Sequence, residues 1–139
     1  MMRRTIACAL AVMMMAVLLS GCPTPKNRIR IKVVNQSANF YGVRLYLSSG
    51  TDESPPVTLL TNNLLTGDVD PGDSTQVDVA TTTIDGLNAN SITLIVQNAA
   101  GSLEYSWTRS AGGFEGGTQY ALTIKNLGPN DHTVVLTKQ

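Results

Sequence analysis

The stretch ITLIVQNAAGSLEYSWTR, residues 92–109, carries the clearest signal for secondary structure in the chain. Two segments rich in β-branched and aromatic residues, Ile92–Gln97 and Leu103–Arg109, flank the glycine-containing loop Asn98–Ser102. Such residues pack well on a pleated sheet, and a short loop with glycine can reverse the chain. We therefore predict a β-hairpin here, with Leu103, Tyr105 and Trp107 on one face of its second strand.

The same alternation of apolar and polar residues recurs on both sides of this hairpin. No window of the domain has apolar residues at the spacing of an amphipathic helix with suitable capping residues at both ends, so we predict an all-β domain. Seven strands joined by turn residues favour an antiparallel β-sandwich, either immunoglobulin-like or transthyretin-like. The predicted strands are residues 26–33, 43–48, 76–79, 92–97, 103–109, 120–124 and 133–137.

The connection between the second and third predicted strands is less decided. Residues 57–65 fit either a short strand or an apolar lid over the sandwich. Asp70-Pro71-Gly72-Asp73 predicts a tight turn, because proline presets one central position and glycine tolerates positive φ at the next. We expect residues 81–90, which are mostly polar, to form an irregular connection.

The N-terminus has the order of a secretory signal. Arg3 and Arg4 precede an uncharged apolar run, Ile6–Leu19, and the small residues Ser20 and Gly21 follow it. The run is shorter than the roughly 20 residues that a membrane-spanning helix needs. We therefore expect a signal that is removed rather than a permanent span.

The next residue is Cys22, and Leu18-Leu19-Ser20-Gly21-Cys22 resembles the lipobox of bacterial lipoproteins. The resemblance implies cleavage before Cys22 and attachment of two or three acyl chains to that residue, which is enough for stable anchoring. It divides the chain into a signal peptide (1–21), a lipidated cysteine with a short proline-rich tether (22–27) and one β-sandwich domain (28–139).

Composition excludes several classes of function for the mature chain. Removal of Arg3 and Arg4 with the signal leaves the mature chain mildly acidic, so it has no overall positive charge that would attract nucleic acid. The other cysteine, Cys8, lies in the removed signal, and Cys22 carries lipid. A disulfide within the domain, a thiol nucleophile and a cysteine zinc site are therefore not expected.

Four cations occupy every second position at the start of the domain: Lys26, Arg28, Arg30 and Lys32. Alternation places them on one outward face, close to the lipid anchor. One interpretation is that they rest on anionic lipid and orient the domain. The other is an edge strand whose charges prevent aggregation with a further sheet.

Two further groups of side chains are candidates for ligand binding. Tyr105, Trp107 and Phe114 could stack on a sugar, although an aromatic residue beside Leu103 is more often part of the core. Asp68, Asp70 and Asp73 have the carboxylate density that hard cations prefer, but their spacing departs from an EF-hand loop, and a solvated turn is the simpler explanation.

No catalytic constellation accompanies these candidates. His132 is the sole histidine and stands beside Asp131 in a predicted turn. Gly72-Asp73-Ser74 resembles the opening of the GDSL hydrolase nucleophile block, but the residues after it alternate as a strand rather than a helix. We therefore expect no enzyme activity and no cofactor.

Together these patterns predict a cell-envelope lipoprotein that acts as a non-enzymatic structural or protein-interaction module. A carbohydrate-binding or cell-wall-binding module is the alternative. In enteric lipoproteins an aspartate after the lipidated cysteine favours retention in the inner membrane. Pro23 stands there instead, so the resemblance implies the periplasmic side of the outer membrane.

Overall fold

The computed structural model describes residues 23–51, 54–98, 101, 104–128 and 131–139. These residues form eight strands and one short helix, so the fold is nearly all β, as predicted. In chain order the elements are β1 Arg28–Asn35, β2 Phe40–Thr51, β3 Ser54–Leu59, β4 Ser74–Ala80, α1 Thr81–Leu87, β5 Ser91–Asn98, β6 Glu104–Ser110, β7 Gln119–Gly128 and β8 Asp131–Lys138.

The strands build two four-stranded sheets, sheet A in the order β4-β1-β7-β8 and sheet B in the order β3-β2-β5-β6. The predicted hairpin is the β5–β6 pair, with Leu94 opposite Trp107. The prediction of an antiparallel sandwich is wrong for sheet A, because β1 pairs parallel with β7 and sheet A is therefore mixed. Parallel pairing joins strands that are distant in sequence, and side-chain alternation carries no information about strand direction.

The predicted count of seven strands is also wrong, because residues 54–59 form the additional strand β3. Two prolines in this segment conceal the strand in the sequence. They are tolerated because β3 is an edge strand, which need not donate every backbone hydrogen bond. Residues 60–65 continue along β2 as an irregular segment. Of the stretch 57–65, residues 57–59 therefore belong to β3, and residues 60–65 cover the edge of β2 without forming a strand.

Alternating side chains from both sheets meet in one apolar cluster, the arrangement of a β-sandwich. Ile29, Ile31 and Val33 of β1 are fully buried, as are Leu45 of β2 and Leu122 of β7. Leu65 and Val69, from the connection between β3 and β4, complete the cluster at one side.

Beyond the end of β3, side chains take over the pairing of β2. The backbone N–H of Leu45 donates to Asn63 Oδ1 at 2.9 Å, and that of Leu47 donates to Thr61 Oγ1 at 3.1 Å. The N–H of Leu64 in turn donates to the Leu45 carbonyl at 2.8 Å. Part of the free edge of β2 is thus satisfied without a further strand.

Helix α1 was also not predicted, since it lies where an irregular connection was expected. Ile84 is its one buried side chain, so it has no apolar stripe to detect. It also lacks a side-chain N-cap, and it ends at Asn88, which is left-handed with φ 52°. The helix is therefore stabilised more by the packing of Ile84 than by helix-forming signals in its own sequence.

The chain enters β1 through a turn that fixes the start of the domain. The N–H of Arg28 donates to the Pro25 carbonyl at 2.9 Å, and the N–H of Thr81, where α1 begins, donates to the Asn27 carbonyl at 3.0 Å. Gly116 lies so close to the Lys26 carbonyl that any side chain there would overlap it. We call this end of the sandwich, formed by residues 25–28, 81–87 and 113–118, the anchor end.

Asn35, the last residue of β1, joins the two sheets at the opposite end. Its side chain is fully buried, and Nδ2 donates to the carbonyls of Phe40 at 2.9 Å and Val69 at 2.8 Å. Oδ1 accepts from the N–H of Ser37 at 3.1 Å and from its hydroxyl at 2.6 Å. All four hydrogen-bonding positions of the amide are therefore used.

Replacing Asn35 with Ala should destabilise the domain strongly, because the Phe40 and Val69 carbonyls and the Ser37 N–H lose their buried partner. Buried groups left without a partner cost about 1–3 kcal/mol each, so we expect a loss of roughly 3 kcal/mol or more in urea unfolding. Asn39→Ala, at an exposed position in the same turn, is the matched control and should leave the midpoint nearly unchanged. Equal midpoints for the two variants would contradict this role.

Candidate functional site

Three of the four cations in the predicted basic row lie on the outward face of sheet A. Arg28, Arg30 and Lys32 alternate with buried residues of β1, and Lys26 is exposed in the turn before the strand. Since β1 lies between β4 and β7, it is not an edge strand. Protection of a sheet edge is therefore the wrong explanation for these charges.

Arg30 is committed to an ion pair with Asp78 on the neighbouring strand β4. Its Nε lies 2.8 Å from Asp78 Oδ1 and its Nη2 lies 3.0 Å from Oδ2, which is the bidentate geometry of a strong pair. The hydrogen bond from Arg30, with a smaller contribution from the Arg28 charge, holds the pKa of Asp78 below its ordinary value. One of the four predicted cations thus serves to join β1 to β4.

The remaining charges leave this face positive. Lys32 lies opposite Gln76 of β4 and Ala121 of β7, neither of which is charged. Lys125, which the sequence analysis did not single out, lies on the same face because Leu122 and Ile124 of β7 face inward. Among the described outward residues of sheet A, Asp78 is the one carboxylate.

The candidate aromatic residues are divided between two places. Tyr105 and Trp107 stack with ring centres 6.0 Å apart, and the ring of Phe40 lies 5.2 Å from Tyr105. Phe114 instead packs edge-on against Tyr120, at 5.4 Å, at the anchor end. The structure therefore does not bring Phe114 into the same aromatic surface.

Burial differs within the first aromatic group. Trp107 is partly buried and packs against the core cluster, while Tyr105 is 37% exposed. Phe40 is 2% exposed, and it was not predicted as part of the group because it lies in β2, far in sequence from Tyr105 and Trp107. Leu103, predicted to share this strip, lies outside the described residues.

The three candidate carboxylates do not converge. Asp68, Asp70 and Asp73 are all exposed, and the N–H of Asp73 donates to the Asp70 carbonyl at 2.9 Å, which closes the predicted turn. Within the described parts of the chain, no group of three metal-ligating side chains is found. Asp70 and Asp73 therefore belong to a solvated turn, whereas Asp68 lines a cleft.

This cleft, on the outer side of sheet B, was not predicted. It has a volume of about 420 Å³, and its polar lining comes from β2, β5 and the loop after β3: Gly42, Arg44, Asn63, Thr66, Asp68 and Gln97. It forms at a bulge of β2 between Tyr41 and Arg44, where Gly42 has φ 55°. A glycine next to a strand pattern is a known bulge signal and was the one available clue.

Some predicted residues cannot be placed in this arrangement. The signal peptide and Cys22 lie outside the described residues, as does the side chain of His132. In the part of the chain that is described, no helix is long and apolar enough to cross a membrane.

The Arg30–Asp78 pair generates a prediction about acid stability. Because the pKa of Asp78 is lowered on folding, the pair stabilises the protein fully above the ordinary aspartate pKa of about 3.9, and this contribution is lost as the pH falls through the lower folded value. Asp78→Asn should cost roughly 1 kcal/mol at pH 7, near the upper end for partly exposed pairs.

The measurement is the free energy of unfolding from pH 7 down to pH 2, with the exposed Asp70→Asn as control. The difference between wild type and Asp78→Asn should shrink below about pH 4, whereas Asp70→Asn should follow wild type throughout. A difference that stays constant down to pH 2 would contradict a charge-dependent pair.

Comparison with known proteins gives no family assignment. No protein-family model matches the chain, and no match was found among curated proteins.

Proposed function

We propose that this protein is a cell-envelope lipoprotein, anchored through acyl chains on Cys22, whose domain works as a non-enzymatic structural or protein-interaction module. The sequence order of charge, apolar run, small residues and cysteine supports the anchor. Pro23, in the position after Cys22, supports the periplasmic side of the outer membrane as the location. The proposed partner is a protein, and the alternative is a glycan.

The observation that carries this proposal is how soon the folded domain begins after the cysteine. β1 starts at Arg28, and the Pro25 carbonyl already accepts a hydrogen bond from the Arg28 N–H. Five residues, Pro23 to Asn27, span at most about 18 Å when fully extended. An acyl group on Cys22 would therefore hold the anchor end of the sandwich beside the lipid head groups.

The outward face of sheet A supports an orientation on the membrane. Lys26, Arg28 and Lys32 lie on the side of the domain that a short tether brings close to lipid, and Arg30 is neutralised by Asp78. Each cation near an anionic surface contributes something like 1 kcal/mol, by analogy with polybasic segments. We propose that this face turns toward the head groups, with the anchor end held beside them by the tether.

The strand order favours the transthyretin-like version of the sandwich over the immunoglobulin-like one. A constant-type immunoglobulin domain has sheets of four and three strands, with its first two strands in the same sheet. Here the sheets have four strands each, and β1 and β2 lie in different sheets. We therefore propose a transthyretin-like arrangement.

The carbohydrate-binding alternative keeps one specific observation in its favour, which is the polar cleft beside Gly42. The aromatic group lends it less support, because Trp107 packs against the core cluster. Any glycan site is therefore better sought at the cleft than at Tyr105 and Trp107. The proposal of a non-enzymatic role rests on the single histidine of the chain and on the lipid proposed for Cys22.

The test of the anchor is metabolic labelling with an alkyne-bearing palmitate in a bacterial host that processes lipoproteins. Wild type should incorporate the label, and Cys22→Ala should not, because the acceptor thiol is gone. Cys8→Ser is the matched control, since Cys8 lies in the apolar run and should be removed with the signal. Label that persists in Cys22→Ala, or that is absent from wild type, would overturn the proposal.

A further inference from the structure

The cleft beside Gly42 has walls that are held in place before any ligand arrives. Its outer wall is the loop 63–68, which two buried side chains, Leu65 at 8% exposure and Val69 at 2%, fix to the core. Asn63 is locked as well, because its Oδ1 accepts from the N–H groups of Leu45 at 2.9 Å and Leu65 at 3.2 Å. A site that is already formed avoids the entropy cost of ordering its loops on binding.

The lining offers hydrogen-bond donors and acceptors that the protein itself leaves unused. With its oxygen occupied, Asn63 presents its NH₂ group as a donor in a fixed orientation. Among the described residues, neither the carboxylate of Asp68 nor the carboxamide of Gln97 has a hydrogen-bond partner, although both line the cleft. The cleft therefore contains a fixed donor on Asn63, a carboxylate acceptor on Asp68, and the amide of Gln97, which can both donate and accept.

Charge and size narrow the class of ligand. Arg44 and Asp68 are the charged residues of the lining, one of each sign, so the lining has no net formal charge that would favour an anion such as phosphate. Its volume of about 420 Å³ falls in the range of roughly 300–1,000 Å³ typical of small-molecule sites. Its lining is too polar for an apolar ligand, since uncompensated polar groups would lose water.

A neutral polyhydroxyl compound meets these requirements, because each hydroxyl group both donates and accepts a hydrogen bond. Tyr41, next to Gly42 in the bulge and opposite Gln97, is 39% exposed, so an aromatic side chain lies at the surface next to two of the lining residues. We propose that the cleft binds a neutral saccharide, with Asn63, Asp68 and Gln97 as its hydrogen-bonding residues. This inference supplies the site and ligand class for the carbohydrate-binding alternative, on which it rests, and it does not depend on the anchor.

The position of the cleft agrees with such a role in an anchored protein. Arg44 and Gln97 face outward from sheet B, since their neighbours Leu45 and Val96 are fully buried. The cationic row is on the opposite sheet, and the anchor end is at the other end of β2. A domain that rested on lipid through sheet A would hold the cleft open to the surrounding space.

The experiment is calorimetric titration of the full-length protein in detergent with chitotetraose, cellotetraose and maltotetraose, each up to 10 mM. Wild type should bind at least one of them. Asp68→Asn, which replaces a charged acceptor with a neutral one, and Gln97→Ala, which removes a polar contact, should each weaken that binding about tenfold, or roughly 1.4 kcal/mol. Asp70→Asn, an exposed carboxylate two residues from Asp68 but outside the cleft, is the matched control and should bind as wild type does.

Three results would overturn the inference. They are absence of binding to all three sugars at 10 mM, equal affinity in wild type and both cleft variants, or equal weakening by Asp70→Asn. Thermal unfolding of each variant, expected to match wild type, separates loss of binding from loss of folding. Because detergent-solubilised protein is used, these results do not depend on palmitate labelling, so the saccharide site and the lipid anchor can fail separately.

Discussion

The buried amide of Asn35 is the constraint on which the rest of this structure depends. It ends β1 in sheet A, bonds to the first residue of β2 in sheet B, and holds Val69 of the long connection between β3 and β4. Backbone bonds reinforce it, since the Asn35 N–H donates to the Asp73 carbonyl and the Asn35 carbonyl accepts from Gly72. The crossing from one sheet to the other therefore depends on Asn35, which also holds the end of the loop that walls the cleft.

This arrangement connects the two ends of the domain. At one end Asn35 orders residues 69–73, and with them the loop whose residues Asn63 and Asp68 line the cleft. At the other end, the turn at Pro25 and the close approach of Gly116 to Lys26 fix where the tether leaves the sandwich. Between them, β1 runs through the centre of sheet A and presents its cations outward. Strand β1 therefore fixes the direction in which the cleft opens relative to the proposed anchor.

The alternation of apolar and polar residues was enough to predict most strands and their inward residues, because a strand that is buried on one face has an apolar residue at every second position. It could not predict that β1 pairs parallel with β7, since pairing of distant strands depends on the whole sandwich. β3 was hidden by two prolines, and α1 was hidden because Ile84 alone is buried in it. In each case tertiary packing, rather than a local pattern, determines the element.

The candidate sites show the same division between local pattern and tertiary packing. The outward position of Arg28, Arg30 and Lys32 followed from the sequence, but the pairing of Arg30 with Asp78 did not, because Asp78 lies 48 positions away. The cleft joins Gly42, Asn63 and Gln97 from three separate segments. No spacing in the sequence relates these residues, and only the bulge and the locked loop bring them together.

We propose that a lipid anchor on Cys22 and the cations of sheet A together hold the domain with its cleft directed away from the membrane. The most direct test places a fluorophore on single cysteines, Gln76→Cys beside Lys32 or Thr66→Cys at the cleft, in lipidated protein reconstituted into anionic vesicles. Both positions are exposed, so labelling should be tolerated. A quencher attached to the lipid head groups should quench the probe at residue 76 strongly and the probe at residue 66 weakly. Equal quenching, or stronger quenching at residue 66, would contradict the account.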